Sequence, residues 1–309
     1  MRLSALATAA AVALLAPAVA RGGDVPVQVA AVGSTLWTVS DSGLLGVDPA
    51  SGTIVARPVV PYPYPTRIAA AAGSLWVASV ANGYVSGAVS RIDGRTRRAS
   101  TRLRLPRQGV YDVCAGGTRA WAIVGPSRRR RIVRLEAGDG RPRFITPSSE
   151  PAWCAADAAG AWVSTGNGRL LHVDARSDAV SSSPGCSEIG QLAVGHGSVW
   201  AACQASIVRI DEATKALHRI PLAGIPDALT VGRSGVWALV FDRAGATTLV
   251  RIAPQSDRVV FRRRLAGSPT TVLETRDALW IGGLDRRQES VLLRLDPRSL
   301  VVRRVIPLL

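Results

Sequence analysis

The sequence is poor in the residues from which many catalytic and metal sites are built. Among 309 residues there are three histidines and one methionine, and Lys215 is the only lysine. The four cysteines form no Cys-x-x-Cys pair, a spacing typical of thiolate metal sites. A Gly-x-Ser-x-Gly elbow, a phosphate-binding loop and a Rossmann fingerprint are also absent. We therefore expect no metal and no cofactor, and no motif predicts a Ser-His-Asp triad.

Helical periodicity is hard to find after residue 20. Short apolar or β-branched runs are instead separated by Gly, Pro, Asn and Asp, which is the pattern of strands and turns. No stretch after residue 20 is long and apolar enough to cross a membrane. The body of the chain is therefore predicted to be all-β.

The first 20 residues differ from the rest. Met1-Arg2 precedes an apolar run from Leu3 to Ala16, Pro17 ends that run, and Ala18-Val19-Ala20 has the small-x-small pattern of a cleavage site. This predicts a secretory signal peptide over residues 1–20; an uncleaved membrane anchor is the alternative. We expect the mature chain to begin near Arg21, to be secreted or cell-surface associated, and to have no membrane span.

The formal net charge is +16, and nearly all of the positive charge is carried by arginine. An excess of this size favours anionic partners, although a GC-rich genome would also favour Arg over Lys. The run Arg128–Arg131 could neutralise phosphates, but that loop has no interleaved aromatic residues. We interpret the run as a solvated loop, and nucleic acid is not the expected partner.

One short phrase recurs along the chain, in which a turn is followed by a strand that begins near a tryptophan. Seven of the eight tryptophans lie in it, at intervals of 37 to 45 residues. They are Trp37, Trp76, Trp121, Trp162, Trp200, Trp237 and Trp280. A fixed period of this length is typical of a propeller built from repeated blades.

Each repeat can be divided into four short strands. In the second repeat they are Arg67–Ala72, Leu75–Val80, Ala88–Ile92 and Arg98–Leu105. Four antiparallel strands repeated seven times predict a seven-bladed β-propeller over residues 24–309. The repeats run 24–61, 62–106, 107–147, 148–186, 187–223, 224–267 and 268–309, in phase with the chain. We therefore expect the ring to close by blade packing, aided by disulfides, without an exchanged strand, and each Trp to pack between blades.

A second mark lies between strands three and four, where an Asp opens a turn in five repeats. These residues are Asp48, Asp93, Asp174, Asp211 and Asp296. An Arg often precedes the Asp by two positions, as Arg91 does. Because the Asp recurs once per repeat and suits a turn, a structural role is favoured over a catalytic one.

Export makes the cysteines informative, because disulfides persist outside the cytosol. Cys114 and Cys154 hold nearly equivalent positions in adjacent repeats. Cys186 precedes the first strand of the fifth repeat and Cys203 ends its second strand, so a hairpin brings the two together. We predict the pairs Cys186–Cys203 and Cys114–Cys154.

The phrases Gly73-Ser74-Leu75-Trp76-Val77, Ser90-Arg91-Ile92-Asp93-Gly94 and Leu293-Arg294-Leu295-Asp296-Pro297 resemble secreted bacterial propellers of the streptogramin-lyase-like and YVTN types, over about residues 24–309. The resemblance implies the fold. In the lyases it also implies metal-dependent opening of a lactone, with His and Glu near the channel and a strand two that commonly ends in Glu. Here the residues three after each Trp are Ser40, Ser79, Val124, Thr165, Cys203, Val240 and Gly283. None is acidic, so the activity is not carried over.

The residues that differ between repeats lie before strand one and between strands two and three, on one face of a propeller. Binding residues are commonly found on such loops, and Tyr, Trp and Arg are frequent anchors. The predicted binding face consists of Tyr62, Tyr64, Arg67, Tyr84, Arg107, Tyr111, Asp112, Trp153, Glu188 and Asp227.

The leading hypothesis is an exported, monomeric, non-enzymatic binding or scaffold propeller, whose partner is a protein, a peptide or an anionic surface polymer. The alternative is a streptogramin-lyase-like metal-dependent lyase or hydrolase. On first strands only Asp112, Glu188 and Asp227 come close to the convergent acids that this alternative needs.

Overall fold

The computed structural model describes residues 28–40, 43–81, 83–138 and 140–308. Within these ranges 28 strands form seven four-stranded antiparallel sheets, without a helix. Four consecutive strands build each sheet, which confirms the predicted seven-bladed propeller. The predicted signal peptide lies outside the described residues. The described ranges contain no helical segment with the length and apolarity to span a bilayer.

The strands are short and follow one another in blade order. Blades 1 and 2 consist of β1 (Gln28–Val32), β2 (Thr35–Ser40), β3 (Gly43–Val47), β4 (Ile54–Ala56), β5 (Tyr64–Ala71), β6 (Ser74–Ala81), β7 (Ser86–Asp93) and β8 (Ala99–Leu105). Blades 3 and 4 consist of β9 (Gly109–Gly116), β10 (Arg119–Gly125), β11 (Arg131–Glu136), β12 (Arg143–Ile145), β13 (Pro151–Ala156), β14 (Gly160–Thr165), β15 (Arg169–Asp174) and β16 (Val180–Pro184).

The last three blades complete the ring. They consist of β17 (Leu192–Gly195), β18 (Ser198–Cys203), β19 (Ser206–Asp211), β20 (Leu217–Pro221), β21 (Ile225–Gly232), β22 (Gly235–Phe241), β23 (Thr247–Ala253), β24 (Arg258–Arg264), β25 (Ser268–Glu274), β26 (Leu279–Leu284), β27 (Ser290–Leu295) and β28 (Val302–Pro307). First strands of successive blades contact one another, and β1 contacts β25. We call the end at which first strands begin the upper surface; the loops between strands two and three share it.

Each repeat tryptophan packs against the next blade, as predicted. Trp76 of blade 2 lies in a cluster with Val110 and Val113 of blade 3. Trp280 of blade 7 lies in a cluster with Val29 and Leu36 of blade 1. All seven indoles are between 0 and 2% exposed, so the repeat phrase marks the interfaces between blades.

In blades 3 and 5 the residue opposite the Trp on strand three makes a second contact with the next blade. Arg134 faces Trp121 and forms an ion pair with Asp178 of blade 4. In the same way Arg209 lies 2.9 Å from the carboxylate of Asp257 in blade 6. The two aspartates occupy matching left-handed turn positions, with φ of 61° and 54°.

Blade 4 carries His172 opposite Trp162, where five other blades carry Arg and blade 1 carries Gly46. The matching turn position of blade 5 is Lys215, also left-handed, and its ammonium lies 4.7 Å from the Trp162 ring centroid. Burial and the charge of Lys215 both lower the pKa of His172. The cation over this indole therefore comes from the neighbouring blade instead of from the same one.

The turn aspartates have the structural role expected of them. In each of the five turns the carboxylate accepts a backbone N–H from the residue two positions later. These hydrogen bonds lower the pKa of all five groups, to about 2 for Asp174 and Asp296.

Both predicted disulfides are present. Cys114–Cys154 joins the first strands of blades 3 and 4, with Cα atoms 5.7 Å apart. Cys186–Cys203 lies within blade 5, with Cα atoms 6.3 Å apart. Neither bond lies at the junction of blades 1 and 7, so the disulfides do not close the ring.

The ring closes by packing and by a hydrogen bond that Arg304 of blade 7 donates to the carbonyl oxygen of Ala50 in blade 1. Val29, Leu36 and Val47 of blade 1 form one core cluster with Trp280 and Ile306 of blade 7. All four strands of each blade are contiguous in sequence, so no strand is exchanged between the ends of the described chain.

Replacing one repeat tryptophan should destabilise the whole ring. We expect Trp121→Ala to lower the free energy of unfolding by ~3–5 kcal/mol, because the lost indole leaves a cavity between blades 3 and 4. Trp153→Ala is the matched control, since Trp153 is only partly buried. It should cost about 1 kcal/mol, the worth of an accessible cation–π contact. Guanidinium unfolding with the disulfides intact measures both; equal losses would contradict the interface role.

Candidate functional site

The first strands of five blades contain a β-bulge near the upper surface. Their register with strand two shifts after Pro65, Val110, Pro151, Pro226 and Pro269. Proline has no N–H to pair, and a bulge is one of the few places where a sheet accepts it. We predicted loops leading into strand one at most of these positions, so this part of the prediction was wrong. The bulges instead extend the first strands and redirect the side chains that follow.

One position on strand one lies opposite the strand-two residue that is two positions after the repeat Trp; in blade 2 this is Arg67, opposite Ala78. In blades 1, 3 and 5 the side chain at this position accepts a hydrogen bond from a backbone N–H on the first strand of the next blade. The bonds, each 2.7 Å long, run from Ile68 N to Gln28 Oε1, from Cys154 N to Asp112 Oδ2 and from Leu229 N to Gln191 Oε1. Asp112 thus belongs to a structural series as well as to the predicted face. Sequence reasoning missed Gln28 and Gln191, because a glutamine without a motif gives no signal.

Arg67 joins three of the other predicted residues. Its Nε lies 3.8 Å from Asp112 Oδ1, and its guanidinium carbon lies 4.7 Å from the Trp153 ring centroid. Its charge also acts on the carboxyl of Asp227. Side chains from blades 2, 3 and 4 therefore meet, with Asp227 of blade 6 within the electrostatic reach of Arg67, and we call Arg67, Asp112, Trp153 and Asp227 the inner cluster.

The two carboxyls of the inner cluster are harder to ionise than usual. Burial raises the pKa of Asp112 to about 6, against the opposing effects of the Arg67 charge and of hydrogen bonds from the backbone of Cys154 and Val113. The Asp227 side chain is accessible to solvent, yet the surrounding protein raises its pKa while Arg67 lowers it. Raised carboxyl pKa values in a concave site are common where a protein binds or reacts.

A second group lies on the same surface, over blades 2 and 3. The rings of Tyr84 and Tyr111 stack with centroids 5.4 Å apart and planes 12° apart. The guanidinium carbon of Arg130 lies 4.0 Å from the Tyr111 centroid, and its Nε lies 3.5 Å from Glu150 Oε1. Tyr84 is 41% exposed, so its aromatic ring is accessible to a partner. We call Tyr84, Tyr111 and Arg130 the Tyr–Arg stack.

A shallow cavity of about 470 Å³ adjoins the Tyr–Arg stack. It is lined by Arg128–Arg131 and by the segment from Thr146 to Glu150. The arginine run that we interpreted as a solvated loop therefore forms one wall of a cavity. Arg128 and Arg129 are exposed, while Arg130 and Arg131 are partly buried because their guanidinium groups pack on aromatic rings.

The remaining predicted residues do not join either group. Tyr62 lies under Arg104 of the outer strand, 5.9 Å from ring centroid to guanidinium, and Tyr64 is 59% exposed at the start of β5. Arg107 and Glu188 are exposed. Over the described part of the chain, neither of them makes a hydrogen bond or an ion pair with the inner cluster or the Tyr–Arg stack.

The three histidines lie apart from one another. His172 packs on Trp162 with ring centroids 4.7 Å apart. His196 Nε2 lies 2.9 Å from the carbonyl oxygen of Gly232, and His218 lies 3.6 Å from Asp257. The described residues include no group of three or more His, Cys, Asp or Glu that could hold a metal ion.

Comparison with solved structures finds other propellers. The chain is similar to the computationally designed Ika8 protein, with a TM-score of 0.66, 10% identity and coverage of 87% of this chain and 83% of that one. It is similar to the Cps50 (Swd1) β-propeller domain of Myceliophteria thermophila, with a TM-score of 0.66, 14% identity and coverage of 88% and 97%. Apo AztD from Citrobacter koseri gives a TM-score of 0.59, 14% identity and coverage of 91% and 86%. At these identities the likeness establishes the fold only.

No known protein family and no curated protein matches the sequence. The resemblance to streptogramin-lyase-like and YVTN propellers therefore stays a prediction beyond the level of the shared fold.

The raised pKa of Asp112 should make stability fall as pH rises. Between the unfolded value near 3.8 and the folded value near 6, the folded chain holds a proton that the unfolded chain has released. Relative to Asp112→Asn, the wild type should therefore lose ~2 kcal/mol of unfolding free energy between about pH 4.5 and pH 7.5.

Urea unfolding of both proteins at the two pH values measures this difference. Asp296→Asn is the matched control, because the pKa of Asp296 is lowered to about 2 and its titration is complete below that range. Its difference from wild type should stay flat, and a flat Asp112→Asn difference would contradict the burial effect.

Proposed function

We propose that this protein is an exported, non-enzymatic binding propeller that holds an acidic segment of a protein partner on the upper surface of blades 2 to 4. The observation that carries the proposal is the Tyr–Arg stack, which presents two aromatic rings and a guanidinium group beside an arginine-lined cavity. A rigid ring that carries a variable surface is a common basis for binding.

The stack is suited to a polypeptide because it offers two kinds of contact at once. Tyrosine rings give large contact areas at a low cost in side-chain entropy, and arginine binds carboxylates through paired N–H groups. The contact of Arg130 with Glu150 is 3.5 Å long and partly exposed, so it contributes little. A carboxylate from a partner can replace Glu150 at small cost.

A uniform anionic polymer is the less favoured partner. The inner cluster adds two carboxyls, Asp112 and Asp227, and Glu150 lies beside the arginines, so the surface is mixed in charge. A mixed surface with aromatic anchors discriminates among peptides, whereas a polymer that binds through charge would need only a basic stripe.

Export is the second part of the proposal. It rests on the signal-like residues 1–20 and on the two disulfides, which persist in oxidising compartments.

A specific observation also favours an enzyme as the second candidate. The inner cluster combines two carboxyls of raised pKa with one arginine, and a protonated carboxyl can act as a general acid. A lyase or hydrolase of this kind would use Asp112 and Asp227, whereas the binding function would depend on Tyr111 and Arg130.

The binding proposal can be tested with defined polymers, because the natural partner is not identified. A random glutamate–tyrosine copolymer should bind more tightly than polyglutamate. Tyr111→Ala and Arg130→Gln should each weaken binding of the copolymer about tenfold, since aromatic and arginine anchors are each worth over ~1 kcal/mol. Fluorescence anisotropy at physiological salt measures the affinities.

The matched control is the double variant Arg258→Gln, Arg262→Gln, which removes two exposed charges from the outer strand β24. It should leave the affinity within about twofold of wild type. If the control weakens binding as much as Arg130→Gln does, or if heparin binds as tightly as the copolymer and ignores Tyr111→Ala, the site is a general charge effect and the proposal fails.

The enzyme candidate makes a separate prediction. If it resembles the metal-dependent lyases, Mg²⁺ or Mn²⁺ should bind with micromolar affinity and Asp112→Asn or Asp227→Asn should abolish that binding. Isothermal titration calorimetry measures it, with Asp277→Asn, an exposed lower-turn carboxylate, as control. Metal binding that survives both substitutions would remove the inner cluster as the centre of such an enzyme.

A further inference from the structure

A larger cavity lies across the ring from the Tyr–Arg stack, on the side of blade 7 that faces blade 6. Its volume is about 830 Å³, within the range of small-molecule sites. It opens at the upper surface between the end of β24 and the loop that joins β26 to β27. None of the residues of the predicted binding face lines it.

The floor of the cavity is apolar. Ile281, Val291, Leu293, Leu295 and Val302 line it, and these come from the second, third and fourth strands of blade 7. Leu293 is only partly buried, although it packs against the core shared by blades 6 and 7. Ile281, Val291 and Leu295 are buried in the core, so the accessible hydrocarbon of the floor is that of Leu293 and Val302.

A glycine pair in β26 contributes to this opening. Gly282 and Gly283 line the cavity, whereas the strand-two residues at the same two positions carry side chains in the other six blades, for example Leu239 and Val240. A Cβ at Gly283 would lie 2.4 Å from the Cα of Pro269. The backbone of β25 therefore occupies the space that a side chain takes in other blades, and Gly283 adds no side chain to the cavity wall.

The rim is positively charged. Arg264, Arg286 and Arg287 line the upper end and are exposed. Among the residues described, no carboxylate pairs with their guanidinium groups. The carboxylate of Asp285, the nearest acid in sequence, accepts the backbone N–H groups of Arg287 and Glu289 and is therefore occupied by its own turn.

We propose that this cavity binds a small organic anion with an apolar body, its acid group held by the arginine rim and its body lying on the floor of blade 7. Charge complementarity selects the acid group, because three guanidinium groups without acidic partners surround one mouth. The hydrocarbon floor selects an apolar body, because binding removes apolar surface of both the ligand and the floor from water. The volume fits one such molecule and is too small for a folded partner.

A matched pair of fluorescent probes tests both halves of this proposal. Anilinonaphthalene sulfonate carries an apolar body and an acid group, and N-phenylnaphthylamine carries the same body without the acid. We expect the sulfonate to bind at one site per chain. The double variant Arg286→Gln, Arg287→Gln should weaken it about tenfold or more, the effect of losing a charge-assisted hydrogen bond, and should change binding of the neutral amine less than about twofold.

Val302→Trp should block both probes by filling the floor. Val302 is 41% exposed on the outer strand, so the larger side chain can be accommodated without disturbing the core. Val180→Trp is the matched control, because Val180 holds the same position in blade 4, opposite Val173 as Val302 is opposite Leu295, and is 40% exposed. It should leave both affinities unchanged.

A second control removes two exposed arginines from the lower turn of blade 2, as Arg95→Gln, Arg98→Gln, and should also have no effect. The proposal is overturned if Val302→Trp leaves sulfonate binding intact. It is equally overturned if the two double arginine variants weaken the sulfonate alike, or if Arg286→Gln, Arg287→Gln weakens neither probe. Because these arginines are exposed, that variant tests the site even if Val302→Trp proves unstable. None of these results depends on the Tyr–Arg stack.

Discussion

The contact on which the rest of the structure depends is one indole per blade buried against the next blade. An aromatic side chain buries more area than any other residue type, and here it occupies the same position on strand two seven times. Every pair of neighbouring blades therefore meets in the same way, and a constant angle between blades closes the ring. Blade 7 meets blade 1 through Trp280 just as blade 2 meets blade 3 through Trp76, so closure needs neither an exchanged strand nor a disulfide.

Charges around the indoles link adjacent blades at three of the junctions. Arg134 and Arg209 on strand three each pair with an aspartate in the turn of the next blade. Where strand three offers His172, the next turn offers Lys215, which lies over the same indole. At these three junctions the charge of the turn residue suits the strand-three residue, because a second cation facing Arg134 or Arg209 at a half-buried contact would repel it.

The periodic features of the chain were predictable from sequence, and the aperiodic ones were not. Blade number, Trp packing, turn aspartates and both disulfides followed from a signal repeated seven times or from its register. The bulges did not, because Pro65 and Pro226 look like loop residues until the hydrogen bonds of strand two are known. The contact of Arg67 with Trp153 depends on those bulges, since they redirect side chains from two different blades. The cavity lined by Gly282 and Gly283 could not be predicted from the local sequence either, because it depends on which part of blade 7 is not covered by blade 6.

The inner cluster connects the frame of the ring to its surface chemistry. Asp112 uses one oxygen to bind the backbone of the next blade and the other to approach Arg67, so its ionisation acts on packing and on charge together. With both carboxyls ionised and Arg67 charged, the cluster carries one net negative charge in a chain of net charge +16. Protonation of Asp112 and Asp227 reverses that sign. At neutral pH an acidic segment is therefore repelled from the centre of the ring and attracted to the arginines at its edge, which is where the Tyr–Arg stack and the blade 7 cavity both lie.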